Sequence, residues 1–180
     1  MLQLFQADLS PWLEFNREAI ANGQWWRLVT GHWLHTNSWH LMMNLGGFVL
    51  IICLHGMYYN GKVLLSLLLV GSLCTGLGLF WLSPSTEIYV GLSGFLHALL
   101  VCGCLIDIRR HWSSGWLILI ATFGKVFWEQ LHGASQDVAT LIAADVAIDA
   151  HLFGACTGLL LFGGWCLHAR QAQVQQIHLS

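Results

Sequence analysis

Four stretches without a single charged residue decide what this chain can fold into. Residues 28–61, 63–86, 88–106 and 150–169 contain no Asp, Glu, Lys or Arg. About 20 mostly apolar residues in a helix cross the hydrocarbon core of a bilayer. A fifth stretch, 115–131, is broken only by Lys125 and Glu129. Just 9% of the 180 residues are charged, against roughly 25% in a soluble domain, so most of the surface is unsuited to water. The expected fold class is all-α: a polytopic membrane helical bundle with spans at 40–57, 63–82, 93–108, 115–131 and 149–168. A short N-terminal helix within residues 1–15 is a further expectation. The chain reads as a single transmembrane domain over 1–180, with an N-terminal outer-interface segment at 1–39, a helical core at 40–168 and a tail at 169–180.

The same composition excludes other classes. Seven Lys and Arg in all leave no basic run for nucleic acid. Cys53, Cys74, Cys102, Cys104, Cys156 and Cys166 all fall inside apolar stretches, where thiols behave as small hydrophobes. No cofactor and no metal is expected. The first twenty residues include Gln3, Asp8, Glu14, Arg17 and Glu18, so the apolar core of a cleavable signal peptide is not expected either.

Basic loops mark the cytoplasmic side. Lys62, Arg109, Arg110 and Arg170 share one side, while 83–90 and 132–148 carry Glu87, Asp137 and Asp145 but no Lys or Arg. The C-terminus is therefore expected in the cytoplasm and the acidic loops outside. Arg17 and Arg27 then fall on the outer side, where Trp25, Trp26, Trp33 and Trp39 suit a segment lying at the interface.

Polar side chains inside spans are costly and tend to mark function. Gly91-Leu92-Ser93-Gly94 places a serine between glycines at the start of a span, where the helix dipole favours a developing alkoxide. His151, Gly154 and Gly158 share one helix face, and Gly94, Ala98 and Cys102 form a matching small-residue stripe on the third span. Two such stripes let helices pack backbone to backbone, which would carry His151 to Ser93. His40 and Asn44, one turn apart, offer hydrogen-bond donors for an oxyanion, together with the Ser93 N–H. Taken singly, the serine between glycines and the His40–Asn44 pair read first as helix packing, and His151 reads as well as an interfacial histidine.

Together they resemble the rhomboid family. Trp26-Arg27 matches its first-loop Trp-Arg pair, and His35, His40 and Asn44 match the histidine-rich stretch and HxxxN. Ser93 matches the GxSG serine, and Ala150, His151, Gly154 and Gly158 match AHxxGxxxG. The likeness runs from Trp25 to Gly164 with the motifs in order. His97 one turn below Ser93, the 25–32 stretch and Lys125-Val126-Phe127-Trp128-Glu129-Gln130 are most similar to the rhombosortase branch.

That resemblance implies a rhomboid-like serine protease of a Gram-negative inner membrane, with its active site open toward the periplasm. Its substrates would be exported proteins ending in a Gly-Gly motif, one apolar helix and a basic end. An amine-bearing lipid headgroup would be a candidate acceptor of the acyl group. Ser93 would be the nucleophile and His151 the base, with His40, Asn44 and the Ser93 N–H binding the oxyanion. His97, Gly91, Gly94, Gly154 and Gly158 would support them. Asp149 lies two residues from His151 and points elsewhere, so a dyad is expected. Lys125 and Glu129, at i and i+4, read as a structural pair or a contact for the substrate tail or headgroup. The competing readings are a general rhomboid hydrolysing single-span substrates, a non-catalytic client-binding relative, and a histidine-rich metal or haem protein.

Overall fold

The computed structural model describes residues 6–179, with side chains from 8 to 167. The chain opens with α1 (Gln6–Leu13), the two-residue strand β1 (Phe15–Asn16), α2 (Arg17–Ala21) and α3 (Arg27–Thr30). A 3-10 turn at Gly31–Trp33 leads to α4 (Ser38–His55), and another at Gly56–Tyr58 to α5 (Gly61–Leu82). Strand β2 (Ile88–Tyr89) precedes α6 (Ser93–Arg109) and α7 (Ser113–His132). The short α8 (Gln136–Ile142) and the long α9 (Ile148–Leu179) complete the chain. The strands pair antiparallel, Phe15 opposite Tyr89 and Asn16 opposite Ile88.

Asparagine starts three of these helices. The side chains of Asn16, Asn37 and Asn60 accept from the backbone N–H groups of Ala19, His40 and Val63 at 2.9–3.0 Å. Each satisfies an orphan donor of a first turn. The far end of α5 is closed by Arg17, which donates to the carbonyls of Leu79, Phe80, Ser83 and Thr86 at 2.6–3.0 Å. Buried Arg27 donates to the carbonyls of Pro11 and Glu14 and to Gln24. Arg17 and Arg27 are thus spent on tying the N-terminal segment together and to the end of α5. The part of the expected N-terminal helix at 1–5 lies outside the described residues; from Gln6 to Leu13 the chain is helical, as α1.

Long helices form at all five expected places. Three are long and apolar enough to cross a membrane: Ser38–Tyr58, Gly61–Leu82 and Ile148–Leu167. The other two differ for physical reasons. Helix α6 has 17 residues, about 25 Å at the α-helical rise, and its side chains are buried along nearly its whole length, so protein rather than lipid surrounds it. Helix α7 keeps an apolar outer face of Trp116, Leu117, Ile120, Phe127 and Leu131 but carries Lys125 and Glu129 on another. The bundle therefore wraps α6 with α4, α5, α7 and α9. Phe95, Leu99, Cys102 and Ile106 of α6 form the middle of the main apolar core with Ile51, Tyr59 and Leu161. None of the described cysteines is in a disulfide; Cys102 and Cys104 are buried, and Cys53 and Cys156 lie on the outer faces of α4 and α9.

Candidate active site

Helices α6 and α9 meet because both carry small residues at the crossing. A Cβ on Gly154 would stand 2.0 Å from the Gly94 carbonyl oxygen. One on Gly158 would stand 2.7 Å from the Ala98 carbonyl oxygen and 2.6 Å from Val101. The two stripes anticipated from sequence are in contact, and α6 and α9 lie backbone to backbone. This sets Ser93, at the N-terminus of α6, beside His151 in the first turn of α9. Ser93 Oγ and His151 Nε2 are 3.1 Å apart.

Gly91 shapes the approach to Ser93. Its φ of +134° is a left-handed backbone that glycine accepts, and a Cβ there would strike the His40 ring at 2.8 Å. Its carbonyl accepts from the buried Tyr89 hydroxyl, and its N–H donates to the Gly31 carbonyl at 3.2 Å. His40 is steadied by Thr36, whose Oγ1 lies 3.1 Å from Nδ1, leaving Nε2 toward Gly91. Asn44, only 5% exposed, keeps its side-chain Nδ2 without a hydrogen-bond partner among the described residues. Leaving a buried donor unsatisfied costs about 1–3 kcal/mol. His40 and Asn44 thus present unused ring and amide nitrogen beside the backbone leading to Ser93.

These groups line a cavity of about 1070 Å³, with His40, Asn44, Ser93, His97, Lys125, Glu129 and His151 along one part. Met43, Leu50, Leu54, Leu100 and Ile118 make the remainder apolar. Outside the spans, burial holds His32 down to about 4, and burial with neighbouring His40 does the same for His35. Burial pushes the Tyr89 phenol up. Tyr89 lines the cavity, with His32 packed edge-on against it and His35 edge-on against His40.

Against this geometry stand two comparisons. The Rhomboid domain family matches residues 22–170. The chain belongs to the rhomboid family. A Bacillus subtilis (strain 168) protein named "Putative rhomboid protease YdcA" is 30% identical over 153 residues, covering 79% of this chain and 68% of that protein. Rhomboids are serine proteases of the membrane, and the helical bundle and apolar exterior of this rhomboid fit that setting.

The residues singled out from sequence are brought together: Ser93 with His151, His40 and Asn44 across from Gly91, and the glycine pairs at the crossing. His97 does two things. Its Nδ1–H donates to the Ser93 carbonyl at 2.8 Å, and its ring stacks on His151 with centroids 4.4 Å apart. Asp149 turns away as expected, bound to Ser83 and Gln130. The expectation that His151 has no acidic neighbour needs correcting. Glu129 Oε2 lies 2.8 Å from His151 Nδ1, and Lys125 Nζ lies 2.8 Å from the same carboxylate oxygen. The anticipated Lys125–Glu129 pair exists, but it faces the histidine. The available signal was a carboxylate inside an apolar span, and the missing knowledge was which face of α7 meets α9.

Proposed function

We propose that this rhomboid is an intramembrane serine endopeptidase of the rhombosortase type, acting on exported proteins with a C-terminal Gly-Gly motif and transmembrane tail. The contact that carries the reading is Ser93 Oγ against His151 Nε2 at 3.1 Å, within general-base reach. His151 Nε2 takes the Ser93 proton as Oγ attacks the scissile carbonyl. The oxyanion accepts from the Ser93 N–H, His40 Nε2 and Asn44 Nδ2. The helical position of Ser93 supports this, since the first N–H groups of a helix have no intrahelical acceptor. His151 then gives its proton to the departing amine, and the C–N bond breaks.

Water or an amine-bearing lipid headgroup next attacks the acyl-enzyme, losing its proton to His151 Nε2; the C–Oγ bond breaks and His151 returns that proton to Ser93 Oγ. The glycines suit the substrate role, because a chain near Gly91 and the His40 ring has little room for side chains. A non-catalytic, client-binding role would leave the paired Ser93 and His151 without a use.

The same reading puts the protein in a bacterial inner membrane, its site toward the periplasm and its C-terminus in the cytoplasm. Ser93 and His151 begin α6 and α9, at the end of the bundle that carries Glu87, Asp137 and Asp145. Lys62, Arg109 and Arg110 lie at the other end. The test is processing of a Gly-Gly-tailed substrate in membranes, with mass measurement of the new C-terminus. Wild type cleaves; Ser93→Ala and His151→Ala do not. A free carboxylate identifies hydrolysis and an added headgroup mass identifies transfer. Cleavage by Ser93→Ala would end the proposal.

A further inference from the structure

We infer that Glu129 is a positioning residue for His151, with Lys125 holding its carboxylate, so that the site is a relay of three residues braced by a fourth. This deepens the serine-protease reading and rests on it. The hydrogen-bond roles derive from one fixed acceptor. The Ser93 carbonyl can only accept, so His97 Nδ1 carries its proton, and neutral His97 offers a lone pair at Nε2. Lys125 Nζ lies 3.4 Å from that Nε2, 2.8 Å from Glu129 Oε2 and 3.0 Å from His151 Nδ1; an ammonium can only donate, and the first two atoms can accept from it. Glu129 Oε2 is the nearer neighbour of His151 Nδ1, at 2.8 Å; a bare Nδ1 would set lone pair against lone pair there, so Nδ1 carries a proton and donates it to the carboxylate while the ammonium turns to Glu129 and His97.

Protonation at Nδ1 leaves Nε2 of neutral His151 free to accept from Ser93 Oγ, the tautomer a base needs. The proton that leaves Ser93 rests on Nε2 until the departing amine takes it, and Nδ1 keeps its own throughout. The carboxylate fixes the ring and faces the imidazolium as it forms.

A plain ion pair explains less. Lysine N-terminal to glutamate at i and i+4 is the weaker order for helix stabilisation. The pair is also unequal: the Lys125 side chain is 47% exposed to the cavity, whereas that of Glu129 is 12% exposed, turned in toward α9. A carboxylate sunk in an apolar span is expensive, and its inward partner is the imidazole nitrogen opposite the nucleophile.

Glutamine makes the sharp test. It has one carbonyl oxygen for two donors, and Lys125, with no acceptor of its own, claims it. The amide NH₂ then faces His151 Nδ1 and drives the proton to Nε2, disabling the base. Replacing Lys125 as well frees the oxygen to turn back. The measurement is the rate of Ser93 labelling by a fluorophosphonate on the full-length protein in detergent, with ¹⁵N NMR of the histidine rings.

In Glu129→Gln the maximal labelling rate should fall about 10²–10⁴-fold with apparent probe affinity within about twofold. Glu129→Gln/Lys125→Met should recover at least about tenfold of that loss. His151 should show a protonated Nδ1 in wild type and a protonated Nε2 in Glu129→Gln. Wild-type labelling in Glu129→Gln, or a double variant no faster than the single, would overturn the inference. So would an unprotonated Nδ1 in wild type, which stands even if a variant does not fold. Ser93→Ala keeps the two ideas apart, because labelling without Ser93 defeats the protease reading while loss there with no effect at Glu129 defeats only the relay.

Discussion

Asn44 holds the least comfortable position of any side chain facing Ser93: buried, with an unspent donor. Loss of a single oxyanion donor costs about 10²–10³ in rate. Asn44→Ala should therefore lower substrate turnover by that order while the melting temperature in detergent stays level or rises, since a buried unsatisfied donor is removed. A fall in both together would assign Asn44 to packing instead.

His32 makes a separate prediction through pH. Held at about 4 in the fold against about 6.5 in an unfolded chain, it is neutral when folded throughout the range between. The unfolded chain takes up the proton first as pH falls, so stability is level above about 6.5 and declines toward 4. His32→Gln should flatten that decline in a series of thermal melts, and an equally steep variant would show that other groups dominate. Most single residues of the site could be picked from the chain, because serine, histidine and asparagine are rare inside apolar stretches. Glu129 could not be given its place that way. Its pairing with Lys125 is local and complete in sequence, whereas its contact with His151 spans 22 positions.

Among the elements, the α6–α9 crossing does most to create the site. Its glycines are not interchangeable: Gly154 meets backbone at once, whereas a Cβ on Gly163 meets nothing within 4 Å. Gly154→Ala should cost about 1–3 kcal/mol or more through overpacking and separate Ser93 from His151, visible as lost fluorophosphonate labelling. Gly163→Ala on the same helix should label like wild type. Equal behaviour of the two would mean that α9 slides freely along α6.

The crossing was legible because small residues at matching spacing on two apolar helices have few other uses. The short N-terminal elements were not. The β1–β2 pair and α1 to α3 depend on Arg17 and Arg27 reaching carbonyls up to 69 positions away, and nothing local announces that. The 17-residue α6 could be read as a span like the rest because burial by protein and burial by lipid leave the same apolar signature in sequence.

At the scale of the molecule, the outward faces of α4, α5, α7 and α9 are apolar, and the polar groups concentrate at the cavity and at the two ends. That arrangement settles where every described thiol can lie. Cys102 and Cys104 are enclosed by protein, Cys74 and Cys166 are half-buried, and Cys53 and Cys156 are exposed, these last four all on helices long and apolar enough to cross a membrane. A thiol reacts as thiolate, which hydrocarbon does not support. To a charged maleimide added to sealed vesicles, the native protein should be silent, and labelling of the unsubstituted chain would show a thiol open to water. A single cysteine placed at Glu87 or at Arg110 would then be the one voice heard, and the side from which it answers is the side on which that loop lies. A silent native chain would be its own blank background for mapping how it sits in the bilayer.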